Sequence, residues 1–117
     1  MTESYIGELR CFGFNFVPQD WAACNGQLLP INQNQALFSL LGTTYGGNGQ
    51  TNFGLPDLRG RAPISFGQGA GLANFDQGQV VNLPPCSAGQ ASQDDSNPGY
   101  LTLNWCIAFE GIYPSRP

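Results

Sequence analysis

The chain has no histidine and no lysine. Without imidazole it lacks the commonest general base and the commonest metal ligand of neutral pH. Without lysine its cations are four arginines, Arg10, Arg59, Arg61 and Arg116, set against eight carboxylates. Charged side chains make up 10% of the residues, where about a quarter is usual. At a net charge of −4 no clustered basic surface can release phosphate counterions, which excludes nucleic acid as a partner. An anionic membrane surface is disfavoured for the same reason. No run approaches the roughly 18 apolar residues that cross a bilayer, so no membrane insertion is expected. Nor do the first thirty residues show a charged stretch followed by an apolar core, so no secretory signal is visible. The expected route is synthesis in the cytosol, with the protein ending in a virion or in an extracellular or cell-surface assembly.

C-x-x-C spacing is also missing. The four cysteines, Cys11, Cys24, Cys86 and Cys106, lie too far apart for a zinc site. Two readings stay open for them. They are buried free thiols acting as small apolar residues, or they form disulfides after export, with Cys11 and Cys106 the first pair to test. A catalytic thiolate would need a histidine to depress its pKa. The carboxylates (Glu3, Glu8, Asp20, Asp57, Asp76, Asp94, Asp95, Glu110) form no motif that sets an acid/base pair. The expectation is a non-enzyme without cofactor or metal.

What the chain does have is turn residues and rings. Gly 16 and Pro 9 exceed average usage yet stop short of the level of disorder. Aromatics at 12% supply packing area, since each ring buries on the order of 150–250 Å². At 117 residues this describes one ordered, loop-rich domain, 1–117, with a modest core. Its charge-poor surface must be largely amide, hydroxyl and glycine, which costs less to bury on assembly than charge does.

In chain order, residues 5–17 keep Phe12, Phe14 and Phe16 at period two and predict a strand over about 7–17, stopped by Pro18. Trp21 is a candidate core anchor, and Asn25 with Gly26 predicts a tight turn joining a short hairpin. The 32–41 stretch predicts the one helix: Asn32 as N-cap, Gln35 reaching back to it, an apolar stripe of Ala36, Leu37, Leu40 and Leu41, and Gly42 as C-cap. A glycine-rich loop follows at 43–58. It leaves a helix C-terminus, where the dipole repels anions, and no G-K-[ST] follows, so it is not a phosphate cradle. In 55–64, with Pro56 and Pro63 as brackets and Arg59 and Arg61 flanking Gly60, Arg59 reads as pairing with Asp57 or bonding loop carbonyls, and a sugar or carboxylate clamp is the alternative. The 87–98 stretch reads as an exposed loop, with Asp94 and Asp95 as solvated charge or, alternatively, a calcium ligand pair. Residues 100–113 alternate best of all. Leu101, Leu103, Trp105, Ile107 and Phe109 point one way, a core-facing strand expected beside the N-terminal one.

Three motifs in order, W-x-x-C-N-G-Q-x-L-P, A-L-F-S-L-L-G-T-T-Y-G-G-N-G and F-x-L-P-D-L-R-G-R-A-P, resemble the phage tail collar domain over residues 5–66. In style the chain is nearest the small microcystin-dependent proteins of bacteria, whose closing strand resembles 103–116. The resemblance implies an α+β fold, mostly β and loop-rich, with a short helix and the two terminal strands in the core sheet. It also implies a domain of short tail fibres and related filamentous structures, often trimeric. Between 67 and 99 the chain departs from the longer members. Their M-P-x-H-x-H segment, which can hold metal on a trimer axis, is replaced by a Gly/Asn/Gln-rich stretch with a short apolar island at Val80, Val81 and Leu83.

The functional expectation is a structural subunit that partners with itself, as an oligomer or filament, and with other tail-like proteins. The alternative is an adhesin that binds a receptor or surface glycan. Tyr45, Asn48, Asn52, Arg59 and Arg61 are the candidates for ligand or subunit contact. Trp21, Asn25, Gly26, Gly42, Pro56, Asp57 and Gly60 are the candidates for holding the motif together. An unpaired N-terminal edge strand would be a natural means of polymerisation.

Overall fold

The computed structural model describes residues 4–81 and 99–116. Cys86, Leu83, the 87–98 loop and its Asp94 and Asp95 lie outside the described residues. The described chain is mostly strand and loop around one short helix. Three antiparallel sheets share the strands: β1 (Leu9–Phe12), β7 (Asn104–Ala108) and β2 (Trp21–Ala23) in that spatial order, then β3 (Leu28–Pro30) with β4 (Asn52–Gly54), and β5 (Gly67–Gln68) with β6 (Asn74–Phe75).

The terminal strands do meet, and the closing strand takes the centre. Leu9 stands opposite Ile107 and Phe12 opposite Asn104, while Trp21 stands opposite Ala108 on the other side. The tails then zip together, Ile112 N–H donating to the Ser4 carbonyl (2.8 Å) and Ile6 N–H to that of Ile112 (2.9 Å). One face of this sheet, with Ala22, Trp105 and Ile107, packs on Leu37 and Phe38 of the helix and on Phe53 and Leu55. Phe53 lies at the centre, fully buried, its ring 5.5 Å from that of Phe38.

Both terminal strands are shorter than their alternation predicts, for one shared reason. Gly13 bends the chain away after Phe12, so Phe14 and Phe16 leave the sheet and stack on each other and on Phe12, with centroids 4.9 and 4.5 Å apart. Where β1 ends, β7 loses a neighbour, and the strand starts only at Asn104. Leu101 and Leu103 are therefore 82% and 51% exposed rather than in the core.

The helix α1 (Gln35–Leu41) is shorter than the expected 32–41. Ile31–Gln33 form a separate 3-10 turn. Asn34, not Asn32, occupies the N-cap, and its side-chain amide is spent on the Pro30 carbonyl at 3.0 Å instead of on the first turn. The C-terminal end is as expected. Gly42 has φ +58°, which glycine adopts without cost, and its N–H closes on the Phe38 carbonyl at 2.7 Å. The turn at Asn25 and Gly26 is not the apex of a hairpin. Its two arms pair with different strands, β2 with β7 and β3 with β4, so the turn carries the chain from one sheet to the next.

Candidate functional site

The motif residues converge on two places. The first is a seam between 24–27 and 55–58, segments thirty residues apart. Leu58 N–H donates to the Cys24 carbonyl (2.9 Å), Gly26 N–H to that of Pro56 (3.2 Å), and Leu55 N–H to that of Gln27 (3.0 Å). Asn25 turns the chain by accepting the Gln27 N–H at its Oδ1 (3.2 Å) and stands opposite Asp57. Gly26, at φ +77°, sits so close to Asp57 that a Cβ there would lie 3.3 Å from the aspartate's own. Only glycine meets both demands.

Asp57 and Arg59 do pair, on the 55–58 side of this seam. The guanidinium engages both carboxylate oxygens, Nε to Oδ1 at 2.9 Å and Nη2 to Oδ2 at 3.0 Å, and the Arg59 N–H adds a third bond at 3.1 Å. Arg61 donates to the Asp57 carbonyl at 3.1 Å and stands 3.7 Å from Oδ2. These bonds from Arg59, with the charge of Arg61 behind them, pull the Asp57 carboxyl down to about 2. Arg59 is 71% exposed, so the pair is screened and serves geometry more than stability.

The second place is the loop at 43–54, which folds over β4. Asn48 closes it. Its Oδ1 accepts from the N–H groups of Gln50, Thr51 and Asn52 at 2.8, 2.9 and 3.1 Å, and its Nδ2 donates to the Thr51 hydroxyl. Asn52 returns the favour by accepting the Asn48 N–H at 2.9 Å. Tyr45 holds the next segment, its hydroxyl accepting from the Gln77 amide at 3.1 Å. The five contact candidates are thus split. Tyr45, Asn48 and Asn52 belong to the loop and Arg59 and Arg61 to the seam, with no hydrogen bond or ion pair joining the groups among the described residues.

A cavity of about 140 Å³ opens beside the seam, lined by Cys24, Asn25, Leu58 and Arg59 and by Leu103, Asn104 and Trp105. The C-terminal side of this lining was not foreseeable, because alternation assigns a face to Trp105 but not a neighbour. Cys11, Cys24 and Cys106 are free thiols. Cys11 stands opposite Trp105 and Cys106 opposite Arg10, so the two side chains leave the sheet on opposite faces and no bridge joins them. Burial, with Cys106 nearby, pushes the Cys24 thiol up to about 12. Among the described residues no group of three or more Cys, Asp or Glu side chains could hold a metal ion, and no helix is long and apolar enough to cross a membrane.

Comparison with known proteins falls on this same region. The family model of the Phage Tail Collar Domain matches residues 7–63, which include β1 to β4, the helix, the loop and the seam. Over 70 residues the chain is 34% identical to the short tail fiber protein gp12 of Enterobacteria phage T4. That match takes in 59% of this chain and 13% of the T4 protein. The seam and the Asn48-closed loop thus lie within residues 7–63, the stretch of this chain that matches the phage tail collar domain.

Proposed function

We propose that the whole chain, residues 1–117, acts as one non-enzymatic structural subunit of a phage-tail-like particle or extracellular filament, assembling with copies of itself and with other tail-type proteins. One observation carries this reading. The polar side chains of the motif are consumed in building the fold: Asn48 in closing its loop, Asp57 and Arg59 in each other, Asn25 in its turn. Large apolar side chains, by contrast, are left uncovered, among them Phe14, Phe16, Val17 and Leu103, and Phe14 and Leu103 line an open groove of about 350 Å³. Exposed apolar groups beside spent polar groups suit contact with protein rather than turnover of a substrate.

A second reading has its own observation. The cavity where Asn25 and Arg59 face Trp105 combines amide, guanidinium and indole, a set that suits a sugar and fits an adhesin at a fibre tip. Negative-stain imaging and a glycan array, run on the same preparation, separate the two. Fibres or closed rings without glycan signal are expected. A dispersed particle that binds a glycan, and loses it on Arg59→Ala, would overturn the structural reading.

A further inference from the structure

The two edges of the β1-β7-β2 sheet are finished differently. On β2 the outward main-chain groups are taken: Trp21 N–H donates to the Pro18 carbonyl (3.2 Å), and the Ala23 carbonyl accepts from the Gln27 side chain (3.1 Å). On β1, Ala108 N–H donates to the Glu8 carbonyl, and Arg10 and Phe12 stand opposite Cys106 and Asn104. The even-numbered residues therefore turn their main-chain groups toward β7, and alternation turns those of Leu9 and Cys11 outward. Neither has a partner among the described residues. The edge also lacks the usual guards against pairing. Leu9–Phe12 holds no proline and no lysine, and its register is unbroken; the one bulge lies before it, where Gly7 N–H and the Glu8 carbonyl both bond to Ala108.

We infer that β1 is a self-association edge, which takes β1 of a second copy of this chain in antiparallel order about a two-fold axis at Leu9. The inference rests on the self-assembly proposed above and names its surface. Charge selects both the partner and the register. With Leu9 opposite Leu9, Glu8 of each copy stands opposite Arg10 of the other, and within each copy Arg10 already pairs with Glu8. The four charges alternate around a square. A two-fold axis at Arg10 would instead set arginine against arginine, and an axis at Cys11 would set Arg10 against a phenylalanine. Leu9, 40% exposed, is covered at the centre.

Sedimentation of the full-length chain tests this with three variants. Glu8→Arg and Arg10→Glu each place like charges at both symmetric contacts, so each weakens association at least about tenfold. The double swap restores opposite signs and recovers association. Single reversals that associate like the parent overturn the β1 edge while leaving self-assembly intact, and so does a double swap that fails to recover. A parent chain that stays monomeric overturns both. Arg10 also lies 5.2 Å from the Trp21 ring, so its reversal can disturb the fold. Leu9→Cys in a Cys11→Ser background covers that outcome. Oxidation of the associated chain yields a covalent dimer joined at position 9 by peptide mapping, and its absence overturns the proposed register.

Discussion

Gly54→Ala isolates the claim that the loop lies in backbone contact with β4. Gly54 does not have a positive φ, so alanine meets no conformational penalty there. Space is the issue, since a Cβ would lie 2.6 Å from the Tyr45 carbonyl oxygen and 3.0 Å from Gly46 Cα, both main chain. Neither neighbour can rotate away, so the loop must lift and stretch the bond from Gly54 N–H to the Gly46 carbonyl, now 2.9 Å. Overpacking of this kind costs about 1–3 kcal/mol and a weakened hydrogen bond about 1 more, giving roughly 2–4 kcal/mol. At about 2.1 cal/mol/K per residue, unfolding 117 residues carries about 0.25 kcal/mol/K, so each kcal/mol moves Tm by about 4 °C. The expected drop is about 8–16 °C by circular dichroism. Gly13→Ala is the internal control. Gly13 also lacks a positive φ but has nothing within 4 Å of its Cβ position, so alanine should be neutral or raise Tm slightly. Equal Tm for the two variants would refute the reasoning.

The other predictions are shorter. Asn48→Ala removes one acceptor shared by three N–H groups and should cost about 1–3 kcal/mol, with the earliest protease cut moving to the 43–54 loop; cleavage elsewhere first would count against the staple. Asp57 has its carboxyl lowered to about 2 from an ordinary 3.8, so its contribution is present above about pH 4 and lost as pH falls through about 2. Asp57→Asn should therefore flatten the decline of Tm between pH 4 and 2, and a parallel decline would contradict the pairing. Alkylation of the native chain at pH 8 should reach half-buried Cys11 well before Cys24, whose thiol is held up near 12; mass mapping that finds Cys24 modified at the same rate would overturn its burial.

Local signals in the sequence were reliable where the physics is local. Gly42 ends the helix because φ +58° suits glycine, and of the expected stripe Leu37 is buried, Leu40 and Leu41 are half-buried, and Ala36 is exposed. Partners were harder to read. Asn25 and Gly26 specify a turn but not which strands its arms will join, so a hairpin was expected where the chain passes between sheets. Period two at Phe12, Phe14 and Phe16 continues through Gly13, and the sequence carries no mark that the bend wins. The exposure of Leu101 and Leu103 follows from that same bend on the opposite terminus. Of the candidate site, Asp57 and Arg59 were legible as a pair because they lie two residues apart. The placement of Trp105 beside them depends on the register of β7 with β2, which no local pattern encodes.

Native mass by light scattering, taken over a concentration series with and without reductant, tests the central claim most directly. A structural subunit gives a mass above the 12.5 kDa of one chain that rises with concentration. A mass that stays at 12.5 kDa across the whole series would contradict it.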